Sequence, residues 1–368
     1  MDDGTALLAA IRLHPDEDVP RLAYADWLDE HNFADRAEFI RVQCELGRWP
    51  EWSLEYKRLD DRAKVLFEQI RPELEAEMPI AQPIIYEHFK RGFLDTILIG
   101  MKAFMERGEE LLTNTVARTI DITDSQGVLS ADEVRNCPVW QKVHGLRFVE
   151  WPYTEGGGEE QYWLAAVRAA TNLKHLSVGH MHADVNDADI RDLVNIPHIG
   201  RLESLALCQL LDIGLIPLAR SSRLPGLKKL DLSGCILHRV VSPQFFRARG
   251  YKLGQLEQLT IGSSVMDPED ITPALEVHGG TLKSLSIVGY ESEQYSAVMD
   301  VLARYGTPLA LQKLIFDGSC SFLCKDDLKA LARATHLPEL TQFAFTGQQE
   351  HKSKPDLEKY FLETLFAA

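Results

Sequence analysis

Three short strings in the 368-residue chain carry residue types that could do chemistry. The first is His180-Met181-His182-Ala183-Asp184, with His175 upstream. Two imidazoles and a carboxylate this close together could reach one ion from the loop leaving a strand. Hydrolysis at such an ion would need further histidine and acidic ligands, and none is recognisable downstream. The second string, Asp121 to Glu133, has the outline of a calcium loop. Aligning Glu133 with the last ligand puts Ile122 where the first carboxylate must stand, so Ile120 and Ile122 read as strand residues. Ser130 with Glu133 then reads as a capping box. The third, Gly156-Gly157-Gly158, lacks the following Lys-Ser or Lys-Thr of a phosphate cradle. No nucleophile elbow and no Ser or Cys paired with a base is legible. The sequence predicts a non-enzyme with no cofactor and no metal, and a metal-dependent hydrolase using His180, His182 and Asp184 is the alternative.

Composition narrows the partners. The chain is 45% hydrophobic and 26% charged, with 39 basic against 55 acidic side chains and a net charge of −16. It is too apolar for a disordered chain. The acidic excess argues against nucleic acid and anionic membranes, which are bound through clustered Lys and Arg, and it points to a basic protein partner. Six cysteines without a CxxC pair read as reduced thiols. The N-terminus opens acidic and its apolar stretch is broken by Arg12 and Asp16, unlike a signal peptide. No segment approaches the roughly 18 to 20 apolar residues of a membrane span, so a cytoplasmic location is expected.

The elements that would position any site come from a repeat. From residue 140 onward the pattern L-x-x-L-x-L recurs as Leu173-Leu176-Val178, Leu202-Leu205-Leu207, Leu227-Leu230-Leu232, Leu256-Leu259-Ile261, Leu282-Leu285-Ile287, Leu311-Leu314-Phe316 and Leu340-Phe343-Phe345. Val143-Leu146-Phe148 is a further copy, and Ile120-Ile122 and Ile97-Ile99 are weaker ones upstream. Measured at the middle position from Ile120 to Phe343, the steps are 26, 30, 29, 25, 29, 26, 29 and 29 residues. Each L-x-L alternates as one face of a short strand does, and the stretches between copies read as helices. One strand and one helix cannot bury their own apolar face, so such units must stack in parallel and share a core. The pattern resembles the leucine-rich repeat family, in its long-repeat subtype typified by ribonuclease inhibitor. The resemblance covers about residues 93 to 347 and implies an α/β curved solenoid, with parallel strands inside and helices outside.

Residues 1 to 85 lack the repeat and read as a helical domain, leaving 86 to 368 to the solenoid and a C-terminal helix. Helices are predicted at Ala6 to Leu13, Pro20 to His31, Arg36 to Trp49 and Leu54 to Met78, the last interrupted at Pro72. Residues 1 to 80 hold 10 basic and 19 acidic side chains, −9 of the total. The run Ala6 to Ile11, then Pro15 to Asp18, Arg21 to Glu30 and Arg36 to Gln43 resembles the repeat-companion domain, a module abundant in planctomycete bacteria that often precedes leucine-rich repeats. The resemblance implies bacterial origin and this architecture, without a reaction. Ion pairing among Asp26, Glu30, Glu38, Arg21, Arg36 and Arg41 is expected to fix the hairpin between the second and third helices. The expected role of the domain is to seal the open end of the repeat core as an α-helical cap.

In such an architecture the strand positions between the leucines point away from the core and form the usual contact surface. The third places of the copies are His175, Ser204, Lys229, Gln258, Ser284, Lys313 and Gln342. The fifth are Ser177, Ala206, Asp231, Thr260, Ser286, Ile315 and Ala344, and the seventh run from Gly179, Cys208 and Ser233 through Gly262 and Val288 to Asp317 and Thr346. A second candidate surface is aromatic: Trp140, Trp151, Tyr153, Tyr162 and Trp163 crowd around one degenerate repeat with a Gly-rich loop, where they either form an exposed hot spot, with Trp151, Tyr153 and Trp163 as its candidates, or fill an imperfect core. The sequence therefore predicts a protein-binding scaffold or adaptor. An acidic inhibitor or immunity-type protein trapping a basic enzyme is a further alternative.

Overall fold

Helices form at the N-terminus where apolar side chains recur at helical spacing: α1 (Asp3–Leu13), α2 (Asp18–Glu30) and α3 (Ala34–Leu46). Ile11, Tyr24, Ala25, Leu28, Ala37, Ile40 and Cys44 meet in one core together with Phe93. Phe39, on the other face of α3, joins Ala63, Leu66, Ile70 and Leu74 of α4 (Leu54–Glu77) in a second. Pro72 lies inside α4 and does not interrupt it. Its missing N–H costs one helical bond at an exposed position, while Leu74 two residues on is 5% exposed and anchors the helix beyond it.

The computed structural model describes residues 3–15, 17–49, 54–77, 85–124, 126, 128, 130–149, 161–178, 187–211, 215–236, 245–246, 251–262, 271–288, 292–317, 325–346, 359 and 363. They fall in two compact units, Met1–Arg147 and Phe148–Ala368. The change from helices to strands at residue 85 is a change of pattern, and the first unit extends past it to include the first repeat strands.

In the first unit, β1 (Ile85–Lys90) runs antiparallel to β2 (Phe93–Ile99) through a tight turn at Arg91 and Gly92, both at positive φ (52° and 83°). A Cβ at Gly92 would also overlap Ile40, so this turn requires glycine. The parallel β3 (Thr119–Ile122) sets Ile120 opposite Ile97 and Ile122 opposite Ile99, and β4 (Gly145–Phe148) follows. α5 (Met101–Asn114) and α6 (Ala131–Asn136) lie between strands in sequence. Ser130 caps α6 by accepting from the Glu133 N–H at 3.1 Å, as the capping box requires. The helices seat on the β1–β2 hairpin through rings: Phe89 packs against Phe39 and Phe67, and Phe93 against Tyr24.

The expected ion-pair set on α2 and α3 is only partly realised. Arg41 does bridge Asp26 (2.7 Å) and Asp29 (2.6 Å) of α2. Glu38 instead receives both arms of Arg62 on α4, at 2.7 and 2.6 Å. Arg21 is 4% exposed, donates to the Pro15 carbonyl and lies 5.0 Å over the Phe93 ring. Arg21 is thus a core cation held by a carbonyl and a ring, because the helical stripe that carries Tyr24 and Leu28 also turns it inward.

In the second unit, described helices separate every pair of successive strands except β7 and β8: α7 (Tyr162–Ala169), β5 (His175–Val178), α8 (Asp187–Asn195), β6 (Ser204–Leu211), α9 (Leu215–Ala219), β7 (Lys229–Ile236), β8 (Gln258–Gly262), α10 (Ile271–His278), β9 (Ser284–Val288), α11 (Ser292–Arg304), β10 (Lys313–Asp317), α12 (Lys325–Ala332) and β11 (Gln342–Thr346). β5 to β11 are parallel and lie side by side in chain order. Their register is the repeat itself: Leu176, Leu205, Leu230, Leu259, Leu285, Leu314 and Phe343 are successive partners. Each of these side chains is at most 2% exposed. Full burial contributes roughly 1.5–3 kcal/mol per large apolar side chain before chain entropy is counted. Helices close over the inward residues, as where Tyr295 of α11 packs edge-on to Phe316 of β10.

Candidate functional site

Side chains alternate across a strand, so burying the fourth and sixth places of each copy turns the third and fifth away from that core. The register makes these outward places into straight rows. His175, Ser204, Lys229, Gln258, Ser284, Lys313 and Gln342 are consecutive partners, and so are Ser177, Ala206, Asp231, Thr260, Ser286, Ile315 and Ala344. His175, Lys229 and Gln258 are exposed, and the other third-place residues are half-buried. In the fifth row Ser177, Asp231, Thr260 and Ser286 are half-buried, and Ala344 closes the row as a buried residue. The candidate residues named from spacing alone thus stand together on one face of adjacent strands.

The seventh row departs from expectation. Cys208 faces Gly234, because an irregularity between β6 and β7 displaces Ser233. The Asp231 carboxylate holds that irregularity by accepting from the Ser233 N–H at 2.8 Å. Its carbonyl then approaches the backbone of β8 at Gly262, where a Cβ would overlap the Ser233 oxygen. Beyond it, Gly262, Val288 and Asp317 return to register. The Asp317 carbonyl is bound by the hydroxyl of Tyr295, 2.6 Å away. Asp231 is therefore spent partly on backbone geometry.

A further row precedes the strands and was not among the residues singled out from sequence. Each second-place carbonyl accepts from two N–H groups of the next copy: Lys174 O from Glu203 and Ser204, Glu203 O from Lys228 and Lys229, Lys228 O from Glu257 and Gln258, and Glu257 O from Lys283 and Ser284. The side chains on this ladder alternate in sign. Lys174 pairs with Glu203 at 3.2 Å and Lys283 with Glu257 at 2.9 Å. The hydrogen bond from Lys174 holds the Glu203 carboxyl below the usual range, with help from Lys228, and Lys283 does the same for Glu257, with help from Lys228 and Lys229. The signal was present in the sequence as one residue type per copy, at the place next to the leucine.

Of the aromatic candidates, Trp163 is 1% exposed, edge-on to Phe148, and so belongs to the core. Its helix α7 carries buried residues from Trp163 to Val167, which leaves no outward position for the ring. Trp151 and Tyr153 lie outside the described residues, as do His180, His182 and Asp184. Among the described residues no group of three or more His, Cys, Asp or Glu side chains could hold a metal ion. None of the described helices is long and apolar enough to cross a membrane.

Two buried polar groups tie repeats together. His278 at the end of α10 is fully buried, and its Nδ1 accepts from the Leu256 N–H at 3.3 Å. The neutral ring therefore carries its proton on Nε2, which donates to the Tyr251 hydroxyl oxygen at 2.6 Å. Burial lowers the imidazole to about 4 and pushes the Tyr251 phenol up. His336 makes a parallel link to the Leu302 carbonyl at 2.6 Å.

No protein-family model and no curated protein matches the chain. Among solved structures, an internalin (inlF) from Listeria monocytogenes is similar at 14% identity and a TM-score of 0.29, over 63% of this chain and 69% of that one. A similarity of that size decides neither fold nor function, which rest on the register and side chains above.

Proposed function

We propose that the chain is a non-enzymatic protein-binding scaffold of the leucine-rich-repeat kind, with the outward rows of β5 to β11 as its docking face. The observation that carries this reading is the unbroken register of the third and fifth places, which sets a row of mostly small side chains beside a row of longer polar ones on one continuous face. Ser177, Ser204, Thr260, Ser284 and Ser286 are small enough to let another backbone approach closely. Lys229, Lys313, Asp231 and Asp317 supply both signs of charge, so the partner that fits is a protein surface of mixed charge. In this reading residues 3 to 77 act as a cap on the β1 edge, supported by the packing of Phe39, Phe67 and Tyr24 on the first hairpin. A bacterial, cytoplasmic setting goes with the repeat-companion resemblance of residues 6 to 43.

The acidic-inhibitor alternative has less support on this face, since the acidic excess concentrates in residues 1 to 80. The test is affinity capture from the native cell with the wild type and a Thr260→Arg/Ser286→Arg double variant. Both positions are half-buried on the open face, so the substitutions obstruct docking without entering the core. A partner retained by the wild type and lost by the folded double variant supports the reading. Equal retention by both contradicts it.

A further inference from the structure

The second-place ladder offers a pattern that a partner could read. Across adjacent strands Lys174, Glu203, Lys228, Glu257 and Lys283 alternate in sign, one charge per strand. Neighbouring strands lie about 4.8 Å apart, so like charges recur about every 9.6 Å along a line crossing the strands. Lys174, Glu203, Glu257 and Lys283 are 51%, 40%, 37% and 53% exposed, which leaves the line open to contact.

An α-helix whose charges alternate at i, i+4 steps advances about 6 Å per charge, and at i, i+3 about 4.5 Å. Such a stripe is commensurate with the ladder over a few steps. The chain itself carries one. On α4, Asp60, Lys64, Glu68 and Arg71 alternate in sign along one side, linked by pairs of 2.5 Å (Lys64 to Asp60) and 2.7 Å (Arg71 to Glu68). The four charges span roughly 16.5 Å of helix axis, against roughly 14.4 Å for four consecutive strands. The 2 Å difference is within the reach of lysine, arginine and glutamate side chains. Lys64, Glu68 and Arg71 are 70%, 63% and 46% exposed.

We infer that α4 of a second copy of this chain docks along the Lys174–Glu203–Lys228–Glu257 ladder, each charge of the helix meeting its opposite. The inference deepens the scaffold reading by naming one partner and one edge of the docking surface. The two patches differ, so the contact is heterologous, and two such contacts can close a dimer while one per chain builds a longer assembly. Charge complementarity commits the occupant, because a helix of uniform sign would meet a like charge on every second strand.

The test is the mass in solution of the full chain by light scattering after size exclusion, at 25 and 500 mM salt. A concentration-dependent dimer or larger species at low salt, returning to monomer at high salt, is expected because exposed charges are screened. A Lys174→Glu/Lys228→Glu/Lys283→Glu chain and an Asp60→Lys/Glu68→Lys chain should each be monomeric alone. Mixed, they should restore the association, since a helix stripe made wholly basic then meets a ladder made wholly acidic. Restoration also rules out misfolding of either variant. A wild type that stays monomeric at 25 mM salt, association that survives 500 mM salt, or variants that fail to associate when mixed would each overturn the inference. None of these results bears on partner loss in the Thr260→Arg/Ser286→Arg variant, which tests the docking face separately.

Discussion

In the N-terminal helices each stabilising contact is made once, whereas in β5 to β11 the same contact is made again on every strand. Arg21 over Phe93, Arg62 on Glu38, and Arg41 between Asp26 and Asp29 have no second copy among the described residues. Leu230, Leu259 and Leu285 do the same work on consecutive strands, and the paired N–H bonds to second-place carbonyls repeat beside them. The difference teaches where damage should spread. A lost single contact loosens its own helix pair, while a lost ladder residue is felt by both neighbouring repeats, because nearest-neighbour interfaces supply the stability of stacked units.

The largest effect should come from truncating the ladder. Leu259→Ala is expected to cost about 2–5 kcal/mol, with amide exchange accelerated in β7 and β9 as well as β8. Leu28→Ala, at an equally buried place in α2, should cost a similar amount with exchange raised only in α1 to α3. Uniform exchange across both units in either variant would break the comparison. Next is acid. Burial lowers His278 in the fold to about 4, against about 6.5 when unfolded, so as the pH falls the unfolded chain binds the extra proton first. Its contribution is full above about pH 6.5 and is lost progressively as the pH falls toward 4, by up to about 3 kcal/mol. Denaturant titrations at pH 7 and 4.5 should show that loss, and a His278→Gln variant should have a flatter profile.

Smaller effects sharpen the same contrast. Gly262→Ala must push the Ser233 carbonyl away and should cost about 1–3 kcal/mol, with the shift seen in the exchange of β7. Gly92→Ala should cost a similar amount and be felt at Ile40 of α3. The smallest should be Lys283→Ala, whose exposed pair with Glu257 is screened by solvent, so the same titration should barely move.

The rows were legible in the sequence because a period of 25 to 30 residues fixes which strand positions become partners, and the L-x-L alternation fixes which way they face. The N-terminal helices were legible through their apolar stripes. What escaped were contacts between residues brought close only by packing. Tyr251 and His278 are 27 positions apart, about one repeat, and neither stands at a leucine place of its copy. Arg62 reaches Glu38 because α4 crosses α3, which no local pattern announces. The displacement of Ser233 follows from the particular pairing of Asp231 with its own backbone, a variation on the repeat that the consensus hides.

The central claim is that the outward rows of β5 to β11 are where another protein sits. Photocrosslinking in the native cell tests it most directly, with p-benzoylphenylalanine placed at Thr260 on the face or at Glu276 on the exposed side of α10. The account expects a discrete protein adduct from Thr260 and none from Glu276. Adducts from Glu276 with none from Thr260 would contradict it.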